Sequence, residues 1–246
     1  MTATTTPPPT PPATAPPPAD KPARPTRFKS LGPVGLFVEE RVTDLQKGYL
    51  ADRATAVAHL ARLRRGAGKL PEDVPDLWGF SGDHRLYRAH PAGDPAGERA
   101  SEAAENAAHL ALTLYALHQQ SHRADRMHRI DIELGEAVRR LMPSDGIDEP
   151  IRRRFVQVGS SRNEKDLAFR LREIVSLLRR EGVPLDYALL ADQLEAWHFP
   201  PRRARVRQEW GRSFHAWRPR RAEDSGAGEP GDTAPDLPAQ PSAPDH

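Results

Sequence analysis

The chain of 246 residues contains no cysteine. That excludes a disulfide framework and any thiolate metal site. Long apolar runs are missing too. No stretch approaches the ~20 apolar residues of a membrane span, and the N-terminus lacks the apolar centre of a secretory signal. A cytoplasmic protein without membrane attachment is therefore expected. Alternating runs of Val, Ile and Thr, the mark of strands, are nearly absent. So are two signatures of catalysis. There is no Gly-x-Ser-x-Gly nucleophile elbow and no Gly-x-x-x-x-Gly-Lys phosphate loop. No enzymatic activity, cofactor or metal is expected.

Proline is abundant but unevenly placed. Residues 1–26 hold ten of the 26 prolines, and residues 222–246 hold five. Neither segment has apolar residues enough for a core, so both read as disordered tails. About 195 residues remain, enough for one compact domain or two small packed lobes. The expected division is a helical domain over 27–221, with lobes near 27–142 and 148–221.

Charge is uneven as well. The whole chain carries +2, but residues 222–246 hold six acids and no Lys or Arg. Residues 151–221 hold 17 basic and 8 acidic residues, a net of +9, whereas 27–150 come to −2. Such a field points to a polyanionic partner. The cations are mostly Arg, whose planar fork pairs well with phosphate. A solvated Arg-rich surface would look the same by composition alone.

Helical periodicity runs through 27–221 and predicts an all-α fold of about nine helices. The first covers 34–49, with Leu36, Phe37, Val42 and Leu45 near one face. The second covers 52–65, with Val57, Leu60 and Leu63 inward and Gly66 at the C-cap position. A short helix is expected at 72–78. A long one at 99–120 carries Ala103, Ala107, Leu110, Leu114 and Leu117 at 4-3-4-3 spacing. Then come 131–142, stopped by Pro143, and 149–158, capped by Asp148. Asn163 caps 164–181, which Gly182 ends. Asp186 caps a helix to Trp197, and the last starts at Pro200 and Pro201.

Candidate sites lie mainly in the connectors and the basic helices. His118 and His122 are four residues apart, but Gln119 stands where a zincin needs Glu. They read as a polar helix end, or as a contact to RNA or a partner alongside Arg123, Arg126 and Arg129. Ser161 with Glu164 fits a capping box, and the amides at 159–162 can also hold a phosphate. Arg152, Arg153 and Arg154 fan out around one helix turn. Arg170 projects within about 60° of Leu167 and Leu171 on a helical wheel, where it must snorkel or find a partner. Arg202, Arg203, Arg205 and Arg207 crowd a helix N-terminus, a placement the helix dipole opposes and an anion would compensate. Trp197, Trp210, Phe214 and Trp217 fall on core positions, so backbone contact is favoured over base stacking.

Residues 34–217 resemble the CasB family, the small subunit of the type I-E CRISPR Cascade complex. The resemblance rests on Leu60-Ala-Arg-Leu-Arg-Arg-Gly66, His118-Gln-Gln-Ser121 and Leu134-Gly-Glu-Ala-Val-Arg-Arg-Leu141. In the C-terminal half it rests on Arg153-Arg-Phe155, Leu171-Arg-Glu-Ile-Val-Ser-Leu-Leu178, Leu185-Asp-Tyr187 and Trp210-Gly-Arg-Ser-Phe214. It implies a two-lobed bundle without enzymatic activity, present as two copies beside other Cascade subunits. Its partners would be CRISPR RNA and target DNA, including the displaced strand. Carried onto this chain, phosphate contact falls to Arg64, Arg65, Arg153, Arg154, Arg162, Arg170, Arg202 and Arg203. Local charge adds Arg123, Arg126, Arg129 and Arg207.

Three readings compete. Helices 164–181 and 186–197 superficially suggest a helix-turn-helix transcription regulator. Yet Asp186, Asp192 and Glu195 put acids on the supposed recognition helix, which should be basic. A structural scaffold with protein partners alone is the second, and an unrecognised enzyme, for which the sequence offers nothing firm, is the third.

Overall fold

The computed structural model describes residues 28–86 and 93–217. The expected tails at 1–26 and 222–246 lie outside the described residues. Those described fold into eight α-helices and four 3-10 turns: α1 Pro33–Leu50, α2 Ala54–Leu63, α3 Pro95–Gln119, α4 Leu134–Arg140, α5 Glu149–Gly159, α6 Glu164–Glu181, α7 Tyr187–His198 and α8 Pro200–Ala216. No strand forms among the described residues, only one isolated bridge between His128 and Leu185. The all-α expectation therefore holds, and most boundaries agree within a few residues.

The differences have local causes. The helix expected at 72–78 is two 3-10 turns, Pro71–Asp73 and Pro75–Leu77. Each begins on a proline, and Pro75 cannot donate the amide a continuous helix would need. Gly66 is not a left-handed cap, because α2 tightens into a 3-10 turn, Arg64–Gly66. The helix expected from 131 starts at Leu134 because the chain before it is held extended. Leu185 N donates to Met127 O at 3.0 Å, and Asp186 N donates to Ile132 O at 2.8 Å. Asp131 turns into the left-handed region at φ 63°.

The caps agree closely with the sequence. Asp148 accepts from Ile151 N, Asn163 from Asp166 N, and Asp186 from Ala188 N and Leu189 N. Gly182 closes α6 at φ 65°, the conformation a side chain disfavours. Ser161 and Glu164 form no capping box. The Ser161 hydroxyl donates back to Gln157 O, and Glu164 accepts from Asn106 and meets His198.

Helix α3 is the axis of the fold. Its expected stripe is buried except for Leu117, and so are Ala104, Ala108, Ala111, Leu112, Tyr115 and Ala116. A helix buried nearly all round belongs at a centre, and α1, α2, α6 and α7 pack on it. One hydrophobic cluster runs from Val34 to Phe214. Helix α7 also packs against α1 and α8, and α5 packs on α6 and α4.

Helices α4 and α8 cross closely at Gly135. A Cβ there would lie 2.0 Å from the Trp210 carbonyl oxygen and 2.6 Å from the Phe214 amide nitrogen. Backbone atoms cannot swing aside, so only glycine fits. On α1, Leu36 departs from the expected inward face and is exposed, while Val34 and Val38 are buried instead.

Candidate nucleic-acid interface

Three features of the fold decide where the candidate arginines stand. The first is the connector after α3. It is pinned by two buried glutamines. Gln119 Nε2 donates to His122 O at 2.6 Å and Asp125 O at 2.9 Å, and its Oε1 accepts from Met127 N. Gln46 spans the backbone of His128 in the same way, accepting from its N–H and donating to its carbonyl. The segment carrying Arg123, Arg126 and Arg129 is thereby fixed on the surface.

His118 is not part of any site. It is fully buried, its Nδ1 lies 2.9 Å from the Tyr187 hydroxyl, and burial pulls its pKa down to about 3. The Nε2 of His122 lies 2.8 Å from Arg179 O, at the end of α6. Among the described residues no cluster of three His, Asp or Glu is arranged to hold a metal.

The second feature is α7. Tyr187, Ala188, Leu189, Leu190, Ala191, Gln193, Leu194 and Trp197 are buried. A recognition helix must lie in a groove of DNA, and this one lies inside the protein. Its acids are also occupied. Asp192 reaches across to the start of α1 and accepts from Gly32 N at 2.7 Å and Gly35 N at 2.6 Å. Asp186 caps α7 itself and accepts from Asp131 N. The helix-turn-helix reading fails on this burial.

The third feature is α5, whose only buried residue is Val158. Arg152 is taken by Glu149 through two hydrogen bonds of 2.7 Å. That pairing holds the Glu149 carboxyl below its ordinary pKa. Arg153 and Arg154 are exposed and form no ion pair with a described residue. Phe155, next along, stacks on Phe214 of α8 with ring centroids 5.3 Å apart. That stack seats α5 on the body and turns the arginines outward.

The other candidates divide into engaged and open groups. Arg65 pairs with Asp76 at 2.7 Å, and Arg170 with Asp166 at 2.7 Å. Arg123 pairs with Asp52 at 2.6 Å and lies over the Tyr49 ring. Arg203 donates to Trp197 O at 2.8 Å, and its guanidinium sits 4.2 Å over the Trp197 ring. Its Nη1 also reaches the carbonyl of Arg162 at 3.5 Å, which brings these two candidates together. Arg64 shares a surface hollow with Arg123. Arg126 and Arg129 face a groove whose other wall holds Glu39, Glu40 and Asp44, an unhelpful setting for phosphate. Arg202 lies over Phe199, beside Asp192, Glu195 and Glu209. Arg207 is exposed on α8.

The twelve arginines are thus spread over several faces. The α5 pair, Arg162 and Arg207 are exposed and form no ion pair with a described residue. Sequence reasoning also passed over Arg139 of α4, whose guanidinium lies 5.4 Å over the ring of Trp217. Trp217 was expected in the core. It is only half-buried, and Arg139 covers it.

Against known proteins, the profile of the family described as CRISPR-associated protein Cse2 matches residues 59–215. Among solved structures, the crystal structure of CasB from Thermobifida fusca is similar at 58% identity and a TM-score of 0.67. The match covers 76% of this chain and 99% of that one. Comparison with curated proteins gives no match.

Proposed function

The chain belongs to the CRISPR-associated Cse2 family, and on that footing we propose that it is the non-catalytic small subunit of a type I-E Cascade complex. Family membership supports a place in such a complex. The finer reading is that the subunit steadies the guide RNA–target DNA R-loop and the displaced strand through arginine–phosphate contacts. Other Cascade subunits, a second copy of this chain, CRISPR RNA and target DNA would be its partners, in the cytoplasm.

One observation carries the finer reading. Arg153 and Arg154 stand outward on a helix that buries a single residue, within the segment of highest positive charge. Two adjacent exposed cations repel each other, and a phosphate backbone relieves that repulsion. The physics of the reaction leaves room for such contacts. Exchanging a DNA duplex for an RNA–DNA hybrid is nearly balanced, so modest backbone contacts tip it. Phosphate contacts position without reading sequence, which suits a subunit that must accept every guide.

The test is a tagged pull-down from the native host under conditions of CRISPR expression. CRISPR repeat–spacer RNA and other Cascade subunits should co-purify. Recovery of neither would contradict the assignment.

A further inference from the structure

The last described residue, Trp217, is only three positions beyond Phe214, whose ring stacks on Phe155 of α5. The described chain therefore ends against Arg139 of α4, three residues after its contact with α5. The C-terminal segment beyond Trp217 ends in a stretch that is the chemical complement of that helix. Residues 222–246 carry Glu223, Asp224, Glu229, Asp232, Asp236 and Asp245, with no Lys or Arg. The path from Trp217 to Glu223 spans at most about 20 Å of extended chain. Arg153 and Arg154 immediately precede Phe155, the residue that Phe214 touches, so the acids lie within reach of them.

We propose that the acidic segment 223–245 docks on the outward arginine face of α5, over Arg153 and Arg154. Tethering makes this encounter intramolecular and raises its effective concentration. Exposed ion pairs are individually weak, so the segment shields the face without sealing it. In the complex it yields to a stronger polyanion. That last consequence rests on the proposed function; the docking itself does not.

The absence of cysteine allows a direct measurement. Donor and acceptor dyes are placed on the full chain through Gln157→Cys in α5 and Ser242→Cys in the acidic segment. Energy transfer should be high at about 0.1 M salt and fall towards 1 M, where the Debye length shrinks from about 10 Å to about 3 Å. It should fall equally in Arg153→Glu/Arg154→Glu. A chain whose six tail acids are changed to Asn or Gln sets the undocked baseline. In parallel, removal of 222–246 should tighten binding of a single-stranded oligonucleotide about fivefold at low salt, as expected for losing two or three exposed ion pairs. The gain should vanish in the Arg153→Glu/Arg154→Glu background. Transfer at the baseline level, or unchanged by the two arginine substitutions, overturns the docking whatever the oligonucleotide does. The unchanged case would mean that the acids pair with Arg218, Arg220 and Arg221 instead. Docking without any change in oligonucleotide affinity overturns the competition and the reading it rests on.

Discussion

Helices α5 and α7 are nearly the same length, 11 and 12 residues, yet α5 buries one residue and α7 buries eight. Their charges differ in the same sense. The acids of α7 turn inward or along the surface to hold backbone amides of α1 and of α7 itself. The arginines of α5 turn out and, after Arg152, form no ion pair with a described residue. A charge on α7 is thus part of how the protein folds. A charge on α5 is available for something else.

The contrast breaks most sharply under truncation. Trp197→Ala empties a fully buried site between α3, α6 and α7, and should cost about 3–5 kcal/mol. Arg153→Glu/Arg154→Glu should leave stability within about 0.5 kcal/mol. Chemical denaturation measures both. Equal losses would erase the distinction.

Lowering the pH probes the buried side without mutation. His109 and His118 have pKa values pulled down to about 4 and about 3, in each case chiefly by burial. Each takes up a proton on unfolding when the pH lies between its folded value and the unfolded value near 6.5. Stability should be full above that value and be lost as pH falls below it, by about 1 kcal/mol per pH unit per histidine. A flat stability curve from pH 7 to 5 would contradict the burial of these rings.

Asp192→Ala should cost about 1–2 kcal/mol, because it leaves two amides at the start of α1 without their acceptor. Thermal unfolding checks it, and Asp192→Asn should recover part of the loss. The smallest effect is expected of Arg65→Ala. Its exposed pair with Asp76 contributes about 0–1 kcal/mol.

Much of this contrast was legible in the sequence. The 3.6-residue periodicity, the capping residues Asp148, Asn163 and Asp186, and Gly182 place the helices to within a few residues. The basic surplus after residue 151 marks the charged half. Packing partners were not legible, because they depend on contacts across the chain. The acids of α7 argued against DNA recognition, and nothing local shows that Asp192 reaches back about 160 positions to cap α1. Gln119 looked like a missing catalytic Glu, whereas it is the clamp that holds the connector in place. Leu36 fell on the apolar face of an idealised wheel, yet the packing of α1 leaves it outside. Which arginines are open was equally hidden. Arg65, Arg123 and Arg170 are engaged by acids at sequence separations from 4 to 71, and clustering alone does not reveal that.

The central claim is that the open arginines of α5 meet phosphate. The most direct test is the salt dependence of binding to a single-stranded oligonucleotide, for the native chain and for Arg153→Glu/Arg154→Glu. With about six phosphates contacted, the log–log slope should be about −4, and losing two contacts should flatten it by about 1.4. A slope unaltered by the two substitutions, or an affinity independent of salt, would contradict the account.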